Sequence, residues 1–395
     1  MKQSLEQGKP SIKTLLEILL VSTKLGLTSF GGPTAHLGYF HEEYIRRRKW
    51  LDEKSYAELV ALCQFLPGPA SSQVGMGIGI MRGGFLGGIA SFIGFTMPSV
   101  IALILFAIFV QGFDVGDAGW IHGLKLVAVA VVAHAILGMA GNLVPDLKRK
   151  TIAIFALAAV LLWQTVYTQV SVIMLAAIIG FFVYKQQDDK ETNSLEFPIS
   201  RKVGFVCLTF FFALLISLPL LREVTSSKFI AIFDSFYRSG SLVFGGGHVV
   251  LPLLEREFVP TFISDASFLA GYGATQAVPG PLFTFAAYIG AVMDGWVGGL
   301  VATIAIFLPA FLLVYGTLPF WNRLRRNGKM KSALMGVNAA VVGILIAAFY
   351  DPIFTSAIVL PIDFIGAIIL YSMLSYWKLA PWIVVVTGIF LGLII

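Results

Sequence analysis

Phe30-Gly31-Gly32-Pro33-Thr34-Ala35-His36, then Gln64-Phe65-Leu66-Pro67-Gly68-Pro69, then Gly83-Gly84-Phe85-Leu86-Gly87-Gly88 and Pro98 form a series of turn-making motifs set in apolar sequence. The series occurs twice. Downstream the chain reads Phe244-Gly245-Gly246-Gly247-His248, Gln276-Ala277-Val278-Pro279-Gly280-Pro281, Gly295-Trp296-Val297-Gly298-Gly299 and Pro309. Order and spacing are kept, so the chain consists of two homologous halves. Gly/Pro interruptions at matching points of two apolar halves point to a transporter with its binding site at the repeat interface.

Hydrophobic residues make up 57% of the 395 residues and charged residues 13%, about half the charged share of a soluble domain. Apolar blocks at 14–30, 55–80, 84–111, 121–143, 151–166, 169–184, 203–221, 227–247, 266–290, 296–320, 332–350, 353–373 and 380–395 approach or exceed the length that crosses a bilayer core. The expected fold is an all-α polytopic membrane protein. Its divisions are an N-terminal repeat (1–184), a polar linker with an extra helix (185–226) and a C-terminal repeat (227–395). The two cysteines, Cys63 and Cys207, form no disulfide frame or metal motif. No Walker A, HExxH, CxxC or GxSxG sequence occurs, so neither an internal ATPase nor an enzyme is expected. Nor is a metal, a cofactor or a nucleic-acid partner. The net charge of +6 is accounted for by loop lysines and arginines that set topology. The N-terminal stretch, Met1 to Lys13, lacks a signal-peptide core, so the first apolar block is expected to be retained.

The unmatched block 203–221 would turn the second half upside down. If 14–30 and 55–80 enter the membrane and return, the basic clusters at Arg46–Lys49, Lys148–Lys150, 185–202 and Arg323–Lys331 all fall on one side, the cytoplasmic one. The acidic Asp114/Asp117 loop and Glu255, Glu257 and Asp265 then fall outside. This favours an inverted repeat with broken or re-entrant helices at the Gly/Pro motifs. Irregular backbone at membrane depth requires burial in protein or a wet cavity.

Pro67, Pro69, Pro279 and Pro281 are expected helix breaks, as is Pro33. Pro69 and Pro281 would be the first residues of new half-helices, whose free amides face the break as an anion site. Gln64, Gly68, Ser71, Ser72 and Gln73 could contribute there, with Gln276 and Gly280 in the second half. Bare backbone at Gly31, Gly32, Gly245 and Gly246 permits close approach of a ligand. Lys24 and Arg238 recur at one repeat position, either as substrate cations or as members of ion pairs with Glu17 and Asp234. Lys125 and its counterpart Asn338 suggest a lined cavity, whereas Arg82 could guard an entrance or set topology. His36 and His248 could relay protons or simply satisfy turn backbone. His134 reads as a core histidine. No buried carboxylate pair of the kind found in a proton or sodium pump is apparent.

These motifs resemble the chromate ion transporter family of the long, two-domain type. The resemblance rests on FGG(P) followed by a charged stretch with Trp50-Leu51, on Gln-x-x-Pro-Gly-Pro in each half, and on the trailing Gly-Gly and Pro. It spans residues 14–140 and 228–350. Gly247 departs from the pattern where the first half has Pro33, so the two turns need not be equivalent. The resemblance implies a multi-pass protein of the bacterial inner (plasma) membrane that exports chromate, driven by membrane potential or proton motive force. Sulfate or another small anion, and an anion channel on the same scaffold, are the alternatives. The expected partners are the oxyanion and the lipid bilayer, and the pattern is compatible with a homodimer.

Overall fold

The computed structural model describes residues 11–111, 119–184, 199–225, 227–324 and 327–395. The Asp114/Asp117 loop, most of the 185–202 linker and residues 325–326 of the last basic cluster lie outside them. The described residues are helical, without strands. The helices are α1 (Ile12–Thr28), α2 (Gly32–Phe40), α3 (Glu53–Phe65), α4 (Ala70–Gln111), α5 (Gly119–Leu143), α6 (Leu147–Leu162), α7 (Val166–Val183), α8 (Arg201–Val224), α9 (Lys228–Leu242), α10 (Val250–Phe258), α11 (Asp265–Thr275), α12 (Phe285–Thr317), α13 (Trp321–Leu324), α14 (Gly328–Ala348), α15 (Thr355–Ala357), α16 (Pro361–Ser375) and α17 (Pro381–Ile394). Among the described residues, five helical stretches are long and apolar enough to cross a membrane. Large apolar side chains such as Leu105, Phe155, Met174, Phe210, Ile365 and Phe390 point outward, which in a multi-pass membrane protein is the lipid-facing surface.

The 42 residues of α4 do not form one rod. Backbone angles leave the helical region at Gly83 and Gly84. Ser91 Oγ donates to the Gly75 carbonyl at 2.8 Å, although sixteen residues of straight helix would separate them by about 24 Å. The chain therefore folds back on itself at 83–84. A Cβ on Gly79 would stand 2.3 Å from the Gly87 oxygen, so the two limbs touch through bare backbone. The second half repeats this device. α12 turns at Asp294 and Gly295, and a Cβ on Gly290 would lie 2.3 Å from the Gly298 oxygen.

The segments before these limbs also enter and return. Ser22 meets Tyr44 at 3.1 Å, and Lys24 meets Glu43 at 3.2 Å. α1 and the chain after Gly31 are therefore the two arms of a hairpin. α3 folds onto the first limb of α4, where a Cβ on Gly77 would press on Leu59. In the second half Arg238 reaches Glu257, and Tyr288 Oη donates to the Ser267 carbonyl at 3.0 Å. These pairs close the hairpins α9/α10 and α11/α12.

The long second limbs of α4 and α12 pack against each other. Tyr315 Oη donates to the Phe85 carbonyl at 2.6 Å, Phe92 packs on Phe307, and a Cβ on Gly299 would press on Ile104. As one partner's number rises the other's falls, so these homologous limbs run antiparallel. Opposite directions for equivalent helices are what an inverted repeat requires. The remaining helices cross between halves. α5 packs on α16 and α17, where a Cβ on Gly123 would sit 2.0 Å from the Gly388 oxygen. α14 packs on α6 and α7, where a Cβ on Gly336 would collide with the Ala176 oxygen.

Candidate functional site

The two Pro-Gly-Pro breaks interlock. Gly68 N–H donates to the Val243 carbonyl at 2.7 Å, and Gly280 N–H donates to the Ser29 carbonyl at 3.0 Å. Ser29 and Val243 are the residues just before or beside the two FGG motifs. Each half therefore binds its break to the turn of the other, a reciprocity that marks a pseudo-two-fold relation. Gly68 and Gly280 adopt φ of +116° and +112°, a region side chains rarely enter. A Cβ on Gly280 would also lie 2.7 Å from Ser99 Oγ. Pro33 and Leu282 both touch the Gly247 position, which brings the turns and the second break together.

Helix start positions shift by one from the sequence expectation. The Pro69 carbonyl accepts from Gln73 N–H at 3.0 Å, so Pro69 caps α4. Pro281 caps a tight turn in the same way, its carbonyl accepting from the Thr284 N–H and hydroxyl. The amides just after each cap have no acceptor within their own helix. Pro33 lies inside the first turn of α2, and the break falls at Ser29–Gly31, with Gly31 at φ +95° as the cap. Pro67 and Pro279 sit in the breaks themselves.

Buried side chains at this crossing carry polar atoms without partners: Ser29 Oγ, His36 Nε2, Ser72 Oγ, Gln73 Oε1, Thr96 Oγ1 and Gln276 Nε2. Ser71 Oγ lies 3.2 Å from His36 Nδ1, and Gln73 Nε2 donates to the Pro67 carbonyl at 2.8 Å. Most of these groups belong to the first half. Where it has Ser71, Ser72, Gln73, Thr96 and Ser99, the second has Phe283, Thr284, Phe285, Phe307 and Ala310 at matching places. One break is polar and the other is aromatic. A buried hydroxyl or amide without a partner is costly, so the polar break is suited to a ligand that completes its hydrogen bonds.

A cavity of about 230 Å³ adjoins the crossing. It is lined by Gly31 and Gly32, by Val131 and His134 of α5, by His248 and Gln276, and by Leu374, Lys378, Leu379 and Pro381. His134 is exposed into this space, which corrects its reading as a core histidine. His248 Nδ1 lies 2.6 Å from Tyr272 Oη. Gly245 is exposed and Gly246 half-buried, beside Met139 of α5. Gln64 is exposed while its counterpart Gln276 is buried. Lys125 and Asn338 are half-buried on α5 and α14, and neither is among the residues lining this cavity.

The recurrent cations belong to hairpin clasps. Lys24 pairs with Glu43 at 3.2 Å, and Arg238 pairs with Glu257 and Asp234, each at 2.8 Å. The pairs Lys24–Glu43 and Arg238–Glu257 hold the same repeat register. Glu17 binds Arg48 and Arg82 rather than Lys24, and Arg82 also lies 4.7 Å over the Trp50 ring. Arg222 joins Asp234 and Glu257. Asp234 and Glu257 are thus buried carboxylates that two arginines compensate, an ion-pair cluster within the clasp. Thr96, Ser29 and Lys378 were missed in the sequence. The contrast of Thr96 before Pro98 with Phe307 before Pro309 could have flagged Thr96. Lys378 lies outside both repeated motifs and had no such signal.

The chromate transporter family matches residues 16–181 and 230–393, nearly all of both halves. The chain belongs to this family. A probable chromate transport protein of Synechococcus elongatus is 28% identical over 96% of this chain and 94% of its own length. A chromate transport protein of Pseudomonas aeruginosa is 27% identical over 90% and 86%. An uncharacterized transporter of Methanocaldococcus jannaschii is 28% identical over 96% and 94%. No solved structure matches. The two family matches leave out α8, the helix that joins the two halves. Membership makes the chain a multi-pass membrane transporter.

Proposed function

We propose that this chromate transporter family member exports a tetrahedral oxyanion, chromate in the first place, by alternating access around the two interlocked breaks. The observation that carries the reading is the reciprocal bonding of Gly68 and Gly280 beside a set of buried, unpartnered polar groups. An oxyanion offers acceptors for hydroxyl and amide donors and for the free amides after Pro69 and Pro281. The chromate transport proteins of other organisms support the choice of cargo.

The energetics favour export without ATP. A dianion leaving a negative-inside cell gains about 4.6 kcal/mol per 100 mV, more than a thousandfold in gradient. Membrane potential is the driver in this reading. The basic face, with Arg46–Lys49, Lys148–Lys150 and Lys329–Lys331, is the cytoplasmic one.

The test is flux of labelled chromate and sulfate in proteoliposomes with an imposed potential. Saturable chromate flux that rises with a potential negative on the basic side, and is competed by sulfate, is the expected result. Non-saturating flux with single-channel currents would make the protein a channel. Absence of oxyanion flux at any potential would remove the reading.

A further inference from the structure

Lys24, Arg82 and Arg238 are each held by carboxylates. Lys378 and Lys125 are both without an ion pair among the described residues, and of the two it is Lys378 that lines the cavity. It follows α16 in the loop to α17 and shares the cavity lining with Gly31 and Gly32. Gln276 shares that lining, and its buried Nε2 has no acceptor. The cavity therefore presents one cation and an orphan amide donor, with two imidazoles and bare backbone beside them. It has room for a four-oxygen anion with part of its hydration shell.

The position is also locally unfavourable for a lysine. α16 ends with Trp377 N–H on the Ser372 carbonyl and Leu379 N–H on the Met373 carbonyl. Lys378 lies between them at φ +51°. Helices that end this way usually place glycine there, because it has no Cβ to strain. Lysine stands where glycine would fit the backbone better.

The cavity's side follows from the helix directions. His122 meets Asp363 at 2.8 Å and His134 packs on Tyr371, so α16 runs parallel to α5. The loop carrying Lys378 lies beside Val131 and His134, on the way from the middle of α5 to its C-terminal end, the end that leads to Lys148–Lys150, the basic side.

We infer that Lys378 recruits a tetrahedral oxyanion dianion into a vestibule on the basic side, from which the anion passes Gln276 to the breaks. This deepens the export reading and rests on it. The lysine supplies charge at the entrance, where solvation lowers its cost, and the neutral donors of the breaks supply specificity deeper in.

The backbone provides an unusually clean variant. Lys378→Gly removes the charge and suits the φ of the site, so thermal stability should match or exceed that of the natural protein. In proteoliposomes loaded from the basic side, its KM for chromate and for sulfate should rise about tenfold, the scale of one charge-assisted hydrogen bond. Lys378→Arg should stay near the natural KM. Perchlorate, a tetrahedral monoanion, should compete better against chromate in Lys378→Gly than in the natural protein. An unchanged KM, or a loss confined to maximal rate, would overturn the role of Lys378 while leaving export intact. A natural protein that moves no oxyanion would fail the export reading itself, and this inference with it.

Discussion

Gly280 shows how a single residue type can be dictated by two constraints at once. Its φ of +112° disfavours any Cβ, and the space a Cβ would occupy lies 2.7 Å from Ser99 Oγ. Its N–H also supplies one of the two reciprocal bonds that tie each Pro-Gly-Pro break to the other half. Gly280→Ala should lower stability by more than about 1 kcal/mol, since neither the backbone nor the neighbour can relax freely. It should also slow oxyanion flux more than its stability loss explains. Thermal unfolding in detergent, paired with proteoliposome flux, measures both. Natural stability would mean the glycine is not required there. The neighbouring polar groups show why site residues are harder to read than break residues. Ser72 and Gln73 stood out because they follow a proline motif, but Ser29 and Thr96 are ordinary in sequence and become notable only when buried without partners.

At the scale of the element, each half is built from hairpins that need explicit ends. α3 begins at Asp52, whose Oδ1 accepts from Ser55 N–H at 2.9 Å and whose Oδ2 accepts from the Ser55 hydroxyl at 2.7 Å. These bonds, the backbone one foremost, hold the Asp52 carboxyl below the usual aspartate range. A depressed carboxylate pKa gives stability that is present above the unfolded value and lost as pH falls through the folded one. Asp52→Ala should therefore cost about 1 kcal/mol at neutral pH, the usual loss of a helix cap. The gap between variant and natural protein should close as the medium is acidified below the aspartate range. Unfolding followed across pH checks this, and a gap independent of pH would show that the cap acts without its charge. The clasps Lys24–Glu43 and Arg238–Glu257 belong to the same scale. Their common register made both cations visible in sequence, as it did the local Arg238–Asp234 pair, but only the folding back of each hairpin brought them to Glu43 and Glu257.

For the whole molecule, the decisive relation is the antiparallel packing of the α4 and α12 second limbs. It predicts which surfaces share a side. In a background lacking Cys63 and Cys207, Arg46→Cys and Lys329→Cys should react with an impermeant thiol reagent from one face of the membrane. Thr261→Cys should react from the other. Labelling of Arg46→Cys and Thr261→Cys from the same face would defeat the inverted arrangement. Residue 326, the other position expected on the basic side, lies outside the described residues, so Lys329 serves in its place. The exchange of partners, α5 with α16 and α17 and α14 with α6 and α7, explains why the halves cannot separate as independent lobes without opening glycine-tight crossings at Gly123 and Gly336.

Composition and local backbone chemistry by themselves determined that this chain lies in a membrane, that it is helical and doubled, and where its helices break. Apolar length, proline's missing N–H and glycine's freedom act over a few residues and need no neighbours to be read. Tertiary structure alone decided what those breaks touch. The bonds from Gly68 to Val243 and from Gly280 to Ser29, the capture of Lys24 by Glu43 and of Arg238 by Glu257, and the arrival of Lys378 in one cavity lining with Gly31 all join residues beyond the reach of one helix. Such contacts depend on how whole hairpins dock, and a docking geometry set by long-range packing leaves no periodic trace in the sequence.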